Sequence, residues 1–193
     1  MKESKETLQQ YVGDMLAVDK HIHETVRRHR DDKQVQADAE THQLLSRVES
    51  TFDALIEELE QLLDRLGGSA SSPVKDAVAS TVGALGSMYD KLRTETVSKM
   101  LRDDYTTLGL AAISYTMLNT TGHALNDPAT AQIAARHLRQ ITPLITGVSR
   151  IIPVVVAREL GEDHQVNSAA GPQSVRETQQ AWSAEVTGQN IYA

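Results

Sequence analysis

Asp19 has the clearest chemical implication of any residue in the chain. It falls in the apolar stripe of a long helical segment that carries Leu8, Tyr11, Val12, Met15, Ile22 and Val26 at three- and four-residue steps. At 100° per residue it lies between Met15 and Ile22, and a carboxylate placed there must be paired, protonated or bound to a metal. A neighbouring Arg or hydroxyl would satisfy it, and so would a cation. Two acid–imidazole pairs have helical i, i+4 spacing, Asp19/His23 and Asp38/His42. If the first two helices turn near residue 32, His23 and His42 face each other, and two Asp with two His would suit one divalent ion. Against this, His42 lies about 100° from the centre of its own helix's stripe, which points it to solvent. Glu49 is a further candidate ligand, and Asp104 is an inward carboxylate one turn before Leu108. His21, His29, His123, His137 and His164 have no mutual spacing that implies a site. No Ser or Thr has an attached base and no glycine loop cradles a phosphate, so enzymatic activity is not expected.

The elements that must position these groups are helices. Period-2 alternation is absent over any useful length, whereas 3/4 periodicity runs almost throughout. The first helix is expected from about Ser4 to Arg30, with a turn at Asp31-Asp32-Lys33. The second runs from about Val35 to Leu66 on Leu45, Val48, Phe52, Leu55, Leu59 and Leu62, and Gly67 supplies a left-handed cap. Ser72-Pro73 opens a third segment carrying Val74, Val78, Val82, Leu85, Tyr89 and Leu92. That segment continues through a bend near residues 94–98 into Leu101, Leu108, Ala111, Tyr115 and Leu118. Asn126-Asp127-Pro128 ends it. A fourth helix from about Ala129 buries Ile133, Leu138, Ile141, Ile145, Val148, Ile152 and Val155, with kinks expected at Pro143 and Pro153. Residues 1–160 therefore read as one antiparallel four-helix bundle of the all-α class. Residues 161–193 read as a polar tail with a short helix at about 175–184, opened by the capping-box spacing of Ser174 and Glu177.

Composition narrows the function classes. A net charge of −7 disfavours nucleic acid as a partner, because phosphate binding needs clustered basic surface. The run Arg27-Arg28-His29-Arg30 reads as a solvated helix end. The chain has no cysteine, which excludes disulfides and thiolate metal sites. No signal peptide and no membrane span are expected, so the reading is cytoplasmic. Ile151 to Ala157 is apolar almost all round, more than one buried stripe can use; the chain's own tail, through Val175, Trp182 and Val186, or a second copy would cover the surplus, and a homodimer is the expected partner.

Ala17-Val18-Asp19-Lys20 on the first helix, with Ile113-Ser114-Tyr115 through Leu118 to Leu125-Asn126 on the third, resembles the ferritin-like superfamily, in particular the bacterial YciE/YciF-type ferritin-like stress proteins. The resemblance spans about residues 6–158 and implies a ferritin-like bundle, a di-metal site in its core and a role in stress physiology. Carried over by position, Asp19 stands for the first-helix Glu and Glu49 for the second. The third-helix His and Glu fall on Gly109 and Ala111, or nearby Leu108, and the last Glu cluster falls on Arg139-Gln140-Ile141. A dinuclear site needs about four carboxylates with two imidazoles. The expectation is a bundle without a cofactor that acts structurally or by interaction. The alternatives are iron or manganese held by Asp19, Glu49, His23 and His42, or a small apolar ligand lined by Met15, Phe52, Leu108 and Tyr115.

Overall fold

In a computed structural model, residues 2–68 and 96–188 are described, and they form helices joined by short turns, with no strand among them. The helices are α1 (Lys2–Arg30), α2 (Lys33–Ala37), α3 (Ala39–Arg65), α4 (Val97–Ala124), α5 (Pro128–Asp163) and α6 (Ala170–Gly188). The part of the third segment between Val74 and Leu92 lies outside the described residues. Four helices form the bundle: α1 packs against α3 and α4, and α5 packs against the same two from the opposite corner. Cross-helix bonds fix their directions. Lys20 meets Glu60 at 2.6 Å and the Gln9 amide reaches the Leu66 carbonyl, so α1 and α3 are antiparallel. Asn119 Nδ2 donates to the Ala131 carbonyl at 2.8 Å and Ser98 N to Glu159 at 2.8 Å, so α4 and α5 are antiparallel too. Because α1 also runs against α4, α3 and α4 point the same way. That is the up-down-down-up order in which one long crossover links the second and third bundle helices.

Local chemistry sets each end. Gly67, at φ 73, closes α3 with bonds from Gly67 N to Asp64 O and from Gly68 N to Leu63 O, the paired pattern of a left-handed cap. Asn126, at φ 56, does the same for α4, and Asp127 then caps α5 by accepting from Thr130 N at 2.8 Å, with Pro128 at the first helical position. The second helix is split. Asp32 caps the short α2 by accepting from Gln34 N, and the extended backbone of Asp38 breaks it from α3. The Asp38 carboxylate holds that corner through Thr41 and Arg158. α5 runs unbroken through Pro143 and Pro153 to Asp163. The tail helix begins at Ala170, five residues before its expected start, because Asn167 accepts from Ala169 N and Ala170 N and so supplies the cap in place of Ser174.

The core is aliphatic, built on Val12, Met15, Leu45, Phe52, Leu59, Leu108 and Ile141 among others. On α5 the buried stripe is rotated from the expected one. Ala134, His137, Leu144 and Ile151 are inside, while Leu138, Ile145 and Ile152 are only half-buried along its margin. α5 also carries an 18-residue window of mean hydropathy 1.5, long and apolar enough to cross a membrane by composition, a test that a bundle's core helix passes equally. The apolar run at its end is partly covered by the chain itself, since Gly171 of α6 lies against the backbone of Val154; further along α6, the Trp182 ring meets Tyr105 of α4 at a tilt, centroids 6.3 Å apart.

Gly122 sets the closest approach in the bundle. A Cβ there would stand 2.6 Å from the Ala131 nitrogen, and backbone cannot yield as a side chain can. Gly122→Ala should therefore destabilise the fold by about 2–3 kcal/mol in urea unfolding, despite alanine's better helix propensity. A variant as stable as the parent would mean that α4 and α5 can separate there freely.

Candidate functional site

A chain of hydrogen bonds crosses the bundle centre, and each of the four helices supplies one link. Asp19 of α1 is fully buried, and its Oδ2 bonds the Tyr115 hydroxyl of α4. That hydroxyl lies 3.0 Å from Nδ1 of His137 on α5, whose ring meets the tyrosine edge-on. His137 Nε2 lies 2.7 Å from Glu58 Oε2 on α3, and Arg136 pairs with the same carboxylate oxygen at the surface. The chain thus leads from a solvent-free carboxylate to an exposed guanidinium.

The electrostatics decide where the protons sit. Burial pushes the Asp19 carboxyl up to about 8, against the pull of the Tyr115 hydrogen bond. Burial also lowers His137, outweighing the upward effect of Glu58. Partial burial raises Glu58, but hydrogen bonds from Arg136 and His137 more than offset it and hold the carboxyl below its usual range. At neutral pH Asp19 is then protonated, His137 neutral and Glu58 ionised. One arrangement gives every proton in the chain an acceptor: Asp19 donates to the Tyr115 oxygen, Tyr115 to His137 Nδ1, His137 Nε2 to Glu58, and Arg136 to Glu58. The opposite imidazole tautomer would set a lone pair against the Glu58 carboxylate. When Asp19 is ionised, the Tyr115 hydroxyl turns to donate to it and His137 Nδ1–H takes the tyrosine oxygen. Moving two protons one step along the chain converts neutral Asp19/His137 into an ion pair without any heavy atom changing partner.

A second buried pair lies about ten residues further along α1. His29 Nδ1 meets Asp104 Oδ1 at 2.8 Å, and burial raises the Asp104 carboxyl against the pull of that bond. Asp104 is inward as its register implied. His29, expected in a solvated helix end, is instead 5 % exposed. One oxygen of each carboxylate, Asp19 Oδ1 and Asp104 Oδ2, is buried without a hydrogen-bond partner.

The sequence-based ligand set does not converge. Asp19 bonds Tyr115, Glu49 pairs with Arg30, His23 meets Asp53 at 2.8 Å, and His42 is half-exposed on α3. The expected opposition of His23 and His42 fails because α2 occupies residues 33–37. It delays the start of α3, and the α1/α3 register brings 53, not 42, opposite 23. Among the described residues, no group of three or more His, Asp or Glu is placed to hold a metal ion. Met15, Phe52, Leu108 and Tyr115 are all closed off in the packed core. A surface groove lies elsewhere, between α3 and α5, lined by Leu44, Arg47, Thr51, Pro143 and Leu144.

Sequence reasoning passed over His137 and Glu58. The first was detectable, since His137 sits four residues from both Ile133 and Ile141, on the buried stripe. Glu58 flanks the Leu55/Leu59/Leu62 stripe and carries no such mark; only the packing of α3 against α5 brings it to the imidazole.

No protein family matches the sequence, and no curated protein is similar to it. Solved structures do match its shape. The antigen TpF1 from Treponema pallidum superposes with a TM-score of 0.63 at 13% identity, covering 78% of this chain and 94% of its own. Dps from Thermosynechococcus elongatus superposes with a TM-score of 0.61 at 14% identity, covering 78% and 92%. Both have the ferritin-like fold, and this chain has the same helical-bundle fold.

Proposed function

We propose that this protein is a ferritin-like bundle whose central metal site has given way to a proton-bearing hydrogen-bond chain, and that it acts structurally or by interaction. One observation carries the reading: the Tyr115 hydroxyl stands between Asp19 and His137 at the bundle centre, so protons bridge the groups that a cation would otherwise bridge. The surrounding donors do not fit a dinuclear centre. Arg136 and Arg30 already neutralise Glu58 and Glu49, and the positions that stand for ligands in the sequence resemblance include Ala111 and Ile141, fully buried side chains with no donor atom. The stress-physiology role implied by that resemblance belongs to the same reading.

Elemental analysis of protein expressed with iron and manganese supplied, and purified without chelator, tests it. Far less than stoichiometric metal is expected, with no oxidation of added ferrous iron above the buffer rate. Two tightly held metals per chain would falsify the reading. A single stoichiometric ion would favour iron or manganese bound by a rearranged set, a reading supported by the partnerless Asp19 Oδ1.

A further inference from the structure

The outer face of α4 is uncharged over most of its length. From Tyr105 to Gly122, 18 residues, α4 contains no charged side chain, in a sequence that is 23% charged. In that span only Leu108, Ala111, Tyr115, Leu118 and Gly122 are buried. On the opposite side Leu110, Ile113 and Met117 are 38%, 57% and 52% exposed, and their spacing groups them within about 60° of the helical wheel. Scattered exposed apolar residues need no explanation, but three in one uncharged stripe mark an interface.

We propose that this face is where two copies of the chain meet, α4 against α4, antiparallel about a twofold axis between Ile113 and Ser114. Charge argues for a second copy as the occupant. Each chain carries −7, so two copies repel across most of their surface and approach with least penalty where neither presents a charge. The stripe is also self-complementary. Leu110 and Met117 lie equally far on either side of the axis, so Leu110 faces the partner's Met117 and the two Ile113 side chains adjoin at the centre. At Gly109 an added Cβ would meet nothing within 4 Å, so this face is open to close approach by another helix.

Light scattering and sedimentation of the full chain provide the test. The protein should be a dimer at tens of micromolar, and Ile113→Arg should weaken association at least about ten-fold, because symmetry sets two guanidinium groups together. Its melting curve should match that of the parent diluted until it is monomeric, since Ile113 is outside the core and only the association contributes to the difference. Leu110→Lys and Met117→Glu should each dissociate the dimer alone, and mixing the two variants should restore a heterodimer, because the register sets the new ammonium of one chain against the new carboxylate of the other. A parent protein that is monomeric at high micromolar concentration, as when residues 69–95 cover the stripe, overturns the proposal. So does a dimer that all three substitutions leave intact. Single variants that dissociate but are not rescued by mixing overturn the antiparallel arrangement.

Discussion

Replacing Asp19 with Asn should all but abolish one large component of the protein's pH-dependent stability. An aspartate in the unfolded chain titrates near its usual value of about 4, whereas burial holds folded Asp19 at about 8. Between those values the folded state binds a proton that the unfolded state has lost, so stability falls as pH rises through this window. Below it the contribution is fully present; above it the contribution is gone. Four pH units at about 1.4 kcal/mol each make the loss about 6 kcal/mol, a large share of a typical domain's stability. Asparagine keeps a donor toward the Tyr115 oxygen and cannot ionise. Asp19→Asn should therefore be within about 1 kcal/mol of the parent near pH 4 and several kcal/mol more stable near pH 9. Asp104, also raised by burial, titrates in both proteins and drops out of the difference, whereas His137, joined to Asp19 through the Tyr115 hydroxyl, is part of what the substitution changes. Urea midpoints across that range are the measurement. Parallel stability–pH curves would show that Asp19 folds as the ionised carboxylate.

Tyr115 should have the largest effect of any single truncation in the bundle. Its hydroxyl bonds both Asp19 and His137, and both of those side chains are completely buried. Tyr115→Phe preserves the ring but leaves an acid and an imidazole nitrogen without partners, each worth about 1–3 kcal/mol when buried, so a loss of about 2–4 kcal/mol is expected at neutral pH. Tyr115→Ala adds the cavity of a fully buried ring and should cost about 5 kcal/mol or more. Pairing Tyr115→Phe with Asp19→Asn should give less than the sum of the two, because both act on one hydrogen bond. A Tyr115→Phe variant within about 0.5 kcal/mol of the parent would mean that water reaches Asp19 and that the chain of bonds is not sealed.

The helices, their approximate ends and most of the core followed from residue order alone. Periodicity is a local property, and caps such as Gly67 and Asp127 act within a few residues of their own position. Asp19's burial was legible for the same reason, since a stripe position can be read on one helix without its neighbours. His137 was legible on the same grounds, though a search for mutual spacing among histidines passes it by. Register and partnership were not legible. The five residues of α2 shift α3 along α1 so that His23 meets Asp53 and not His42, and no local pattern reports how a connection consumes chain. Glu58 became part of the site because α3 packs on α5, 79 residues away in sequence. Sequence by itself determined that a carboxylate had to be accommodated inside the bundle. Tertiary structure decided that a tyrosine hydroxyl and an imidazole accommodate it, because which side chains converge depends on how four separately amphipathic helices are set against one another.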